Sequence, residues 1–265
     1  MKFGKFTFDT IDDLEKLIEN NNDILTHYDN NNNNILHICC EYGTLDILQY
    51  LLTIISCEKY IHHKNKFGND IYFCAVAGGK IEVMKYLEKT HNWNIHIKNN
   101  NGSDAYLMAS GYGEIEVMKY LEKTHNWNIH VKNNYGNDAY LLASGYGKIE
   151  VMKYLEKTHN WNIHVKNNYG SDAYLMASYY GKIEIMKYLE KTHNWNIHVK
   201  NNCGNDAYSL AFSNGKTNVM EYLKGKKEGL AEKIHSIYSN KIEEQEKIII
   251  KLKKQIDGIK NIMKC

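Results

Sequence analysis

Apolar residues recur along most of this chain at spacings of three and four, which place them on one face of a helix. One such segment covers residues 148–158. Its apolar side consists of Ile149, Val151, Met152 and Leu155. Its polar side consists of Glu150, Lys153, Glu156 and Lys157. Since opposite charges three or four residues apart stabilise a helix, we predict an amphipathic helix with an exposed charged face.

A shorter helix is predicted before it, over residues 137–144, where the side chain of Asp138 can accept hydrogen bonds from the first amides. Residues 145–147, Gly-Tyr-Gly, are expected to end this helix. After the second helix, Asn160 is suited to a left-handed cap, and residues 161–165 are expected to be extended. The unit is therefore helix, turn, helix and protruding loop.

This unit is repeated along the chain with a period of 34 residues, marked by Gly68, Gly102, Gly136, Gly170 and Gly204. Residues 102–135 and 136–169 differ only at Ser103/Asn137, Met108/Leu142 and Glu114/Lys148. A unit this small cannot bury its apolar face alone, so the repeats must stack on one another. Stacked arrays of this kind typically bind partners.

The repeats resemble the ankyrin family across nearly all of residues 1–224. The clearest copy is residues 35–52, ILHICCEYGTLDILQYLL, and later copies keep Ala-x-x-x-Gly and IEVMKYL. Residues 138–141, Asp-Ala-Tyr-Leu, stand where the family has Thr-Pro-Leu-His, and each unit carries one extra residue near His159. An aspartate cap is expected in place of the family's threonine-to-histidine bond. The tetratricopeptide repeat shares the period, but needs tryptophan early in its first helix. The resemblance implies an all-α ankyrin-repeat solenoid.

Three segments are predicted. Residues 1–31 form an N-terminal capping half repeat with one helix over Ile11–Glu19, residues 32–224 form the array, and residues 225–265 form a helical tail. The tail has heptad spacing, with Ile242, Ile249 and Ile256 at a positions and Leu252 and Ile259 at d. This pattern leaves two alternatives open, a short two-stranded coiled coil that forms a homo-oligomer or a helix that folds back on the last repeat.

Composition excludes several classes of partner. The formal charge is +2, and the basic residues are all lysine, which argues against a nucleic-acid partner because arginine is the usual ligand for phosphate and guanine. The longest apolar-rich stretch, residues 48–57, is too short for a membrane span. Six cysteines without C-x-x-C spacing suit reduced thiols. We expect an intracellular, cytoplasmic protein.

Two rows of repeated side chains carry possible chemistry. The motif Thr-His-Asn-Trp-Asn-Ile-His places two histidines and a tryptophan in each of four units. Histidines of successive repeats are expected to lie too far apart to surround one zinc ion, so a structural role is favoured over metal storage. The tryptophans are expected to be core rather than a base-stacking row. No nucleophile has a paired base in the repeat, so we expect no enzyme and no cofactor.

The positions that differ between repeats indicate where a protein partner is expected to bind. In ankyrin proteins, residues flanking the loop glycine and those before the turn glycine face a concave groove. The resemblance therefore implies partner-binding residues at Asn101, Ser103, Tyr112, Tyr135, Asn137, Tyr146, Tyr169, Ser171, Tyr179, Tyr180 and Cys203. Tyrosine is a common interface anchor. The style of the repeats resembles the ankyrin sets of giant viruses of amoebae or of the amoebae themselves, which implies a host cytoplasm if the protein is viral.

Overall fold

A computed structural model of the chain describes residues 2–3, 6–7, 10–20, 24, 26–55 and 58–262. It confirms the predicted helical repeat array. The helices in chain order are α1 (Ile11–Asn20), α2 (Ile35–Tyr42), α3 (Leu45–Ile54), α4 (Glu58–Ile61), α5 (Ile71–Ala77), α6 (Ile81–His91), α7 (Ala105–Tyr112), α8 (Ile115–His125), α9 (Ala139–Tyr146), α10 (Ile149–His159), α11 (Ala173–Tyr180), α12 (Ile183–His193), α13 (Ala207–Ser213) and α14 (Thr217–Ile262). The chain divides into two compact units, Met1–Lys216 and Thr217–Cys265.

The N-terminal segment contains elements that the pattern did not predict. Strands β1 (Lys2–Phe3) and β2 (Phe6–Thr7) form an antiparallel hairpin in which Lys2 lies opposite Thr7 and Phe3 opposite Phe6. Such two-residue strands are too short to show the alternation that identifies a strand in a sequence. The four-residue α4 is likewise too short to show the spacing that identifies a helix, so it was not predicted. Helix α1 lies where the lone helix was predicted.

The first helix of each regular unit begins at the predicted aspartate. Asp138 has extended backbone, and its Oδ1 accepts a hydrogen bond from the Leu141 amide at 3.0 Å. Helix α9 ends at Gly147, whose φ of 80° is left-handed and whose N–H donates back into the last turn. The predicted glycine cap is therefore confirmed at Gly147, but the helix continues through Gly145, which lies buried inside α9. Its role is in packing.

The second helix of each unit has the predicted apolar face. In α10, Val151, Met152 and Leu155 are at most 1% exposed. On the opposite face, Lys153 Nζ lies 2.8 Å from Glu150 Oε1, and both side chains are exposed. Exposed pairs of this kind contribute only about 0.3–0.5 kcal/mol each. Helix stability must therefore come mainly from the apolar face.

Glu156 does not belong to the exposed face, contrary to the prediction. Its side chain is only 18% exposed and lies 3.2 Å from His193 Nε2 of the next unit. The hydroxyl of Tyr140 donates to Glu156 Oε1 at 2.7 Å, and that of Tyr188 donates to Oε2 at 2.7 Å. Glu88 and Glu122 have equivalent partners. The glutamate therefore links two neighbouring units, which a helical-face argument within one unit cannot detect.

The core is built by stacking the first helices in the order α2, α5, α7, α9, α11 and α13. In α9, Ala139, Tyr140 and Ala143 are fully buried, and the Ser144 hydroxyl donates to the carbonyl oxygen of Ala173 in α11. Burying a large apolar side chain stabilises a fold by about 1.5–3 kcal/mol. Because each unit packs mainly on its neighbours, the array extends its core one unit at a time.

The loop between units is a pair of turns. Residues 161–165 contain a turn at positions 163–164, where the Asn162 side chain accepts a hydrogen bond from the His164 amide at 3.1 Å. The predicted extended segment is therefore wrong, because asparagine can bond to the backbone two residues ahead. Asn160 has the predicted left-handed conformation, with φ 47°. Farther along, Gly136 has φ 77° and lies against Asn168 of the next loop.

The first complete unit is capped differently. Asn34 precedes α2, and its Oδ1 accepts from the His37 amide at 3.3 Å, while the Asn34 amide lies 3.4 Å from His37 Nδ1. His37 Nε2 lies 3.2 Å from the carbonyl oxygen of Asn69 in the next unit. The imidazole is fully buried. Its two ring nitrogens therefore join the helix cap to the neighbouring repeat.

The second compact unit consists of α14, which runs without interruption across the predicted boundary at 224/225. Its predicted heptad residues Tyr238 and Ile242 are 64% and 55% exposed. Leu252, Ile256 and Ile259 lie within the helix, and Met263 lies outside the described residues. None of the described helices, α14 included, combines the length and apolar character needed to cross a membrane.

Candidate partner-binding groove

The first helices and the loops between units together form a concave surface with two adjoining pockets. All of the residues predicted to face a groove line one pocket or the other. The two pockets share Asn101, Tyr135, Asn137 and Tyr180, so they form one surface, which we call the groove. The residues predicted to face a groove are therefore far apart in the chain but adjacent in the fold. Their predicted role in binding is a separate question.

The larger pocket has a volume of about 530 Å³ and lies between the repeats that begin at Gly136, Gly170 and Gly204. Its predicted lining residues are Asn101, Tyr135, Asn137, Tyr169, Ser171, Tyr179, Tyr180 and Cys203. The structure adds Asn167, Leu175, Met176, Asn201 and Leu210. Leu175 and Met176 are buried, whereas Tyr169 is 54% exposed. The pocket therefore has buried apolar residues and exposed aromatic residues in its lining.

The smaller pocket, of about 100 Å³, continues the groove toward the N-terminus. Its predicted lining residues are the four shared ones together with Ser103, Tyr112 and Tyr146. The structure adds Asn99, Leu107, Met108, Gly111, Asn133 and Leu142. Met108 and Leu142 differ between repeats, as the sequence comparison showed, but helical spacing alone did not place them at the groove. They are side chains of the first helices that reach the concave surface.

The loop asparagines in the groove were missed because they are identical in every unit. Asn167 Oδ1 accepts hydrogen bonds from the amides of Tyr169 and Ser171, both at 3.0 Å. Its Nδ2 donates to Asn137 Oδ1 of the preceding unit at 2.9 Å. Asn99, Asn133 and Asn201 accept the equivalent amide bonds. These asparagines shape the groove but are the same in each repeat, so they cannot be found from the positions that differ between repeats.

Three tyrosines form an aromatic cluster on the groove. The rings of Tyr146 and Tyr180 are stacked with centroids 5.8 Å apart, and Tyr179 meets Tyr180 edge-on at 4.8 Å. Gly145 makes this arrangement possible, since a Cβ there would lie 3.1 Å from Cδ2 of Tyr180. Aromatic pairs at these distances contribute about 0.5–1.5 kcal/mol beyond their buried area. The ring positions are therefore partly fixed by contacts within the array.

The groove carries no formally charged side chain among the residues that line its two pockets, although 24% of the chain is charged. Burial, with a smaller contribution from neighbouring Tyr146, raises the pKa of Tyr180 above its ordinary value. Burial likewise raises the pKa of Tyr112. Both hydroxyls are therefore neutral near pH 7. At the turns, the side chains of Lys148 and Lys182 lie over Gly113 and Gly147 of the preceding units.

Comparison with known proteins identifies the repeats. The family model described as "Ankyrin repeats (3 copies)" matches residues 7–95 and 71–164, which together span more than half of the chain. The chain belongs to the ankyrin repeat family. No curated protein matches it. A solved structure described as a predatory endopeptidase from Bdellovibrio bacteriovorus in complex with an immunity protein is similar at 21% identity, with a TM-score of 0.48, over 76% of this chain and 100% of that one.

The aspartate that begins the segment standing in place of the ankyrin Thr-Pro-Leu-His pattern bonds to a tryptophan of its own repeat. Trp161 is 8% exposed, and its Nε1 donates to Oδ2 of the cap residue Asp138 at 3.3 Å. Burial raises the pKa of Asp138, while the bonds from Leu141 and Trp161 act in the opposite direction. The predicted aspartate cap is therefore confirmed. The same carboxylate holds the loop tryptophan of its own ankyrin repeat.

The histidine rows lie apart from the groove. His130 stacks on Trp161 of the next repeat with ring centroids 4.9 Å apart, and His159 meets Tyr154 edge-on at 5.4 Å. Ring stacking between a histidine and the tryptophan of the next repeat therefore joins neighbouring loops. In the part of the chain that the structure describes, no three His, Cys, Asp or Glu side chains are gathered to hold a metal ion. The histidines act as packing residues of the array.

Proposed function

We propose that this ankyrin repeat protein is a non-catalytic scaffold that binds a protein partner through its groove. The observation that supports the proposal is the convergence of variable loop and helix positions on one concave surface. The six tyrosines that line it are 40–54% exposed, namely Tyr112, Tyr135, Tyr146, Tyr169, Tyr179 and Tyr180. Aromatic residues of this kind are enriched at the centres of protein interfaces.

Affinity purification from the native host with mass spectrometry tests the proposal. The groove variant changes Tyr135, Tyr169, Tyr179 and Tyr180 to Ala. The control changes Lys119, Lys153 and Lys187 to Ala, since these side chains are about half exposed on the second helices, away from the groove lining. A partner that the wild type and the control retain and the groove variant loses supports the proposal. Partners held equally by all three proteins overturn it.

A second candidate function is assembly of a homo-oligomer through α14. It is favoured by the exposed Tyr238, Ile242 and Ile249, which follow heptad spacing on one continuous helix. Light scattering of the full chain and of Ile242→Asn/Ile249→Asn measures the mass directly. A dimer that the substitutions convert to a monomer supports assembly. An unchanged mass in the double variant, or on deletion of residues 229–265, contradicts it.

We also propose an intracellular, cytoplasmic location, in a host cytoplasm if the chain comes from a giant virus of amoebae. The described cysteines support a reducing compartment, because Cys39, Cys40, Cys74 and Cys203 are free thiols. Burial raises the pKa of Cys39, Cys40 and Cys74. Staining of the tagged protein in its native cell tests this location, and secretion into the medium would contradict it.

A further inference from the structure

The groove differs from the rest of the protein surface in its chemistry. Lysine, aspartate and glutamate are frequent on the second helices, but the lining of both pockets consists of asparagine, serine, tyrosine, cysteine, glycine and the apolar residues leucine and methionine. A charged side chain that enters such a site loses water and gains no counter-ion, which costs free energy. The lining therefore offers no counter-ion to a charged ligand.

Hydrogen-bonding capacity in the larger pocket is only partly used within the protein. Asn137 Oδ1 accepts from Asn167, but among the described residues Asn137 Nδ2 has no partner. Within the same described part, the hydroxyls of Tyr169, Tyr179 and Tyr180 also have none. These neutral donors and acceptors match the amides and carbonyls of a polypeptide backbone. They do not provide the fixed charge that would hold a phosphate or carboxylate.

The apolar part of the lining is confined to a small area. Leu175, Met176 and Leu210 are at most 7% exposed and lie among the tyrosine rings of the larger pocket. A pocket of about 530 Å³ is large enough to receive one or two apolar side chains. Methionine adapts its shape to different apolar groups. The lining therefore suits an apolar side chain with uncharged neighbours on either side.

From this geometry we infer that the groove binds an uncharged polypeptide segment, which places an apolar side chain in the larger pocket and bonds its backbone to the asparagines and tyrosines. The inference rests on the proposed scaffold function and names the chemistry of the partner. Association through such a segment depends little on salt, because no ion pair forms across the interface.

The test uses a phage library of short random peptides, selected on the full-length protein and counter-selected on Tyr169→Ala/Tyr180→Ala. Peptides that need these tyrosines are then measured against two matched variants, Asn137→Asp and Asn69→Asp. The two asparagines occupy equivalent positions in their repeats, directly after Gly68 and Gly136. Each Oδ1 accepts from the next loop asparagine, at 2.9 Å for Asn137 and 3.0 Å for Asn69, but only Asn137 lines the pockets.

The expected result is enrichment of peptides without Asp, Glu, Lys or Arg around an apolar residue. Asn137→Asp should weaken their binding by more than about tenfold, because it buries a carboxylate without a counter-ion at the interface. Asn69→Asp should change the binding by less than about twofold. Raising the salt concentration should likewise have little effect.

Two other results overturn the inference. Enrichment of charged peptides that depend on Tyr169 and Tyr180, or tighter binding to Asn137→Asp, shows that the groove binds a charged segment, and leaves the scaffold function intact. Absence of any peptide that depends on these tyrosines shows that the groove does not recognise a short segment. The scaffold function is then decided by the purification from the native host, which does not depend on the partner's charge.

Discussion

Protonation of His37 is predicted to destabilise the first complete ankyrin repeat. The imidazole is fully buried, and this burial is the main reason that its pKa falls from 6.5 to about 4. The nearby His63 ring lowers the pKa further, whereas the Asn69 carbonyl and the Asp29 carboxylate oppose the effect. The folded repeat therefore holds His37 in its neutral form well below neutral pH.

The size and sign of the effect follow from this pKa difference. Below pH 6.5 the unfolded chain binds a proton at His37, and the folded chain does so only near pH 4. The free energy of unfolding therefore decreases as the pH falls from 6.5 to about 4, and His37 causes no further change outside that range. Each unit of pKa difference corresponds to about 1.4 kcal/mol, so the loss is about 3 kcal/mol.

The assay compares the wild type with His37→Gln, which cannot become charged. Native-state hydrogen exchange of the α2 amides is measured at pH values between 4 and 7, because local opening in a repeat array differs from one unit to another. Amides of α9, several repeats away, serve as the internal reference. The wild type should lose about 3 kcal/mol more protection in α2 than the variant does. Equal pH dependence in both proteins refutes the reasoning.

Two further predictions concern the caps of the regular repeats. Asp138→Asn keeps an oxygen for the α9 cap but presents an amide donor to Trp161 Nε1, so it should destabilise the array by about 1–3 kcal/mol. In a denaturant double-mutant cycle, the added Trp161→Phe should recover part of this loss, and strictly additive losses would contradict the Asp138–Trp161 bond. Asn160 has φ 47°, so Asn160→Ala should cost about 1 kcal/mol and Asn160→Gly less. Equal thermal unfolding midpoints for the Ala and Gly variants would show that the left-handed conformation of Asn160 does not affect stability.

The sequence predicts the local parts of the fold well because their causes lie within a few residues. Asp138 can be identified as a cap from its position before an apolar segment, and Asn160 from its place after one. Val151, Met152 and Leu155 follow from helical spacing alone. The residues of the groove lining were also identified, because the ankyrin resemblance assigns the positions beside the loop glycine and before the turn glycine to one concave surface.

The remaining features depend on contacts between repeats, which the pattern within one repeat does not contain. Glu156 has the spacing of an exposed residue, but Tyr188 and His193 of the next unit cover it. Gly145 has the composition of a turn, but it lies within α9, where Tyr180 of the next unit packs over it. Asn167 shapes the groove, yet it never varies.

The contact between Gly145 and Tyr180 also restricts the order of the repeats. The position of Gly145 is occupied by Tyr179 in the next unit, and the unit after that has Asn214 where Tyr180 stood. Exchanging the units that begin at Gly136 and Gly170 would place the ring of Tyr146 beside the side chain of Tyr179 instead of beside a glycine. Repeats that are almost identical in sequence therefore meet different side chains across this contact, and their order along the chain decides what Tyr146 and Tyr180 pack against.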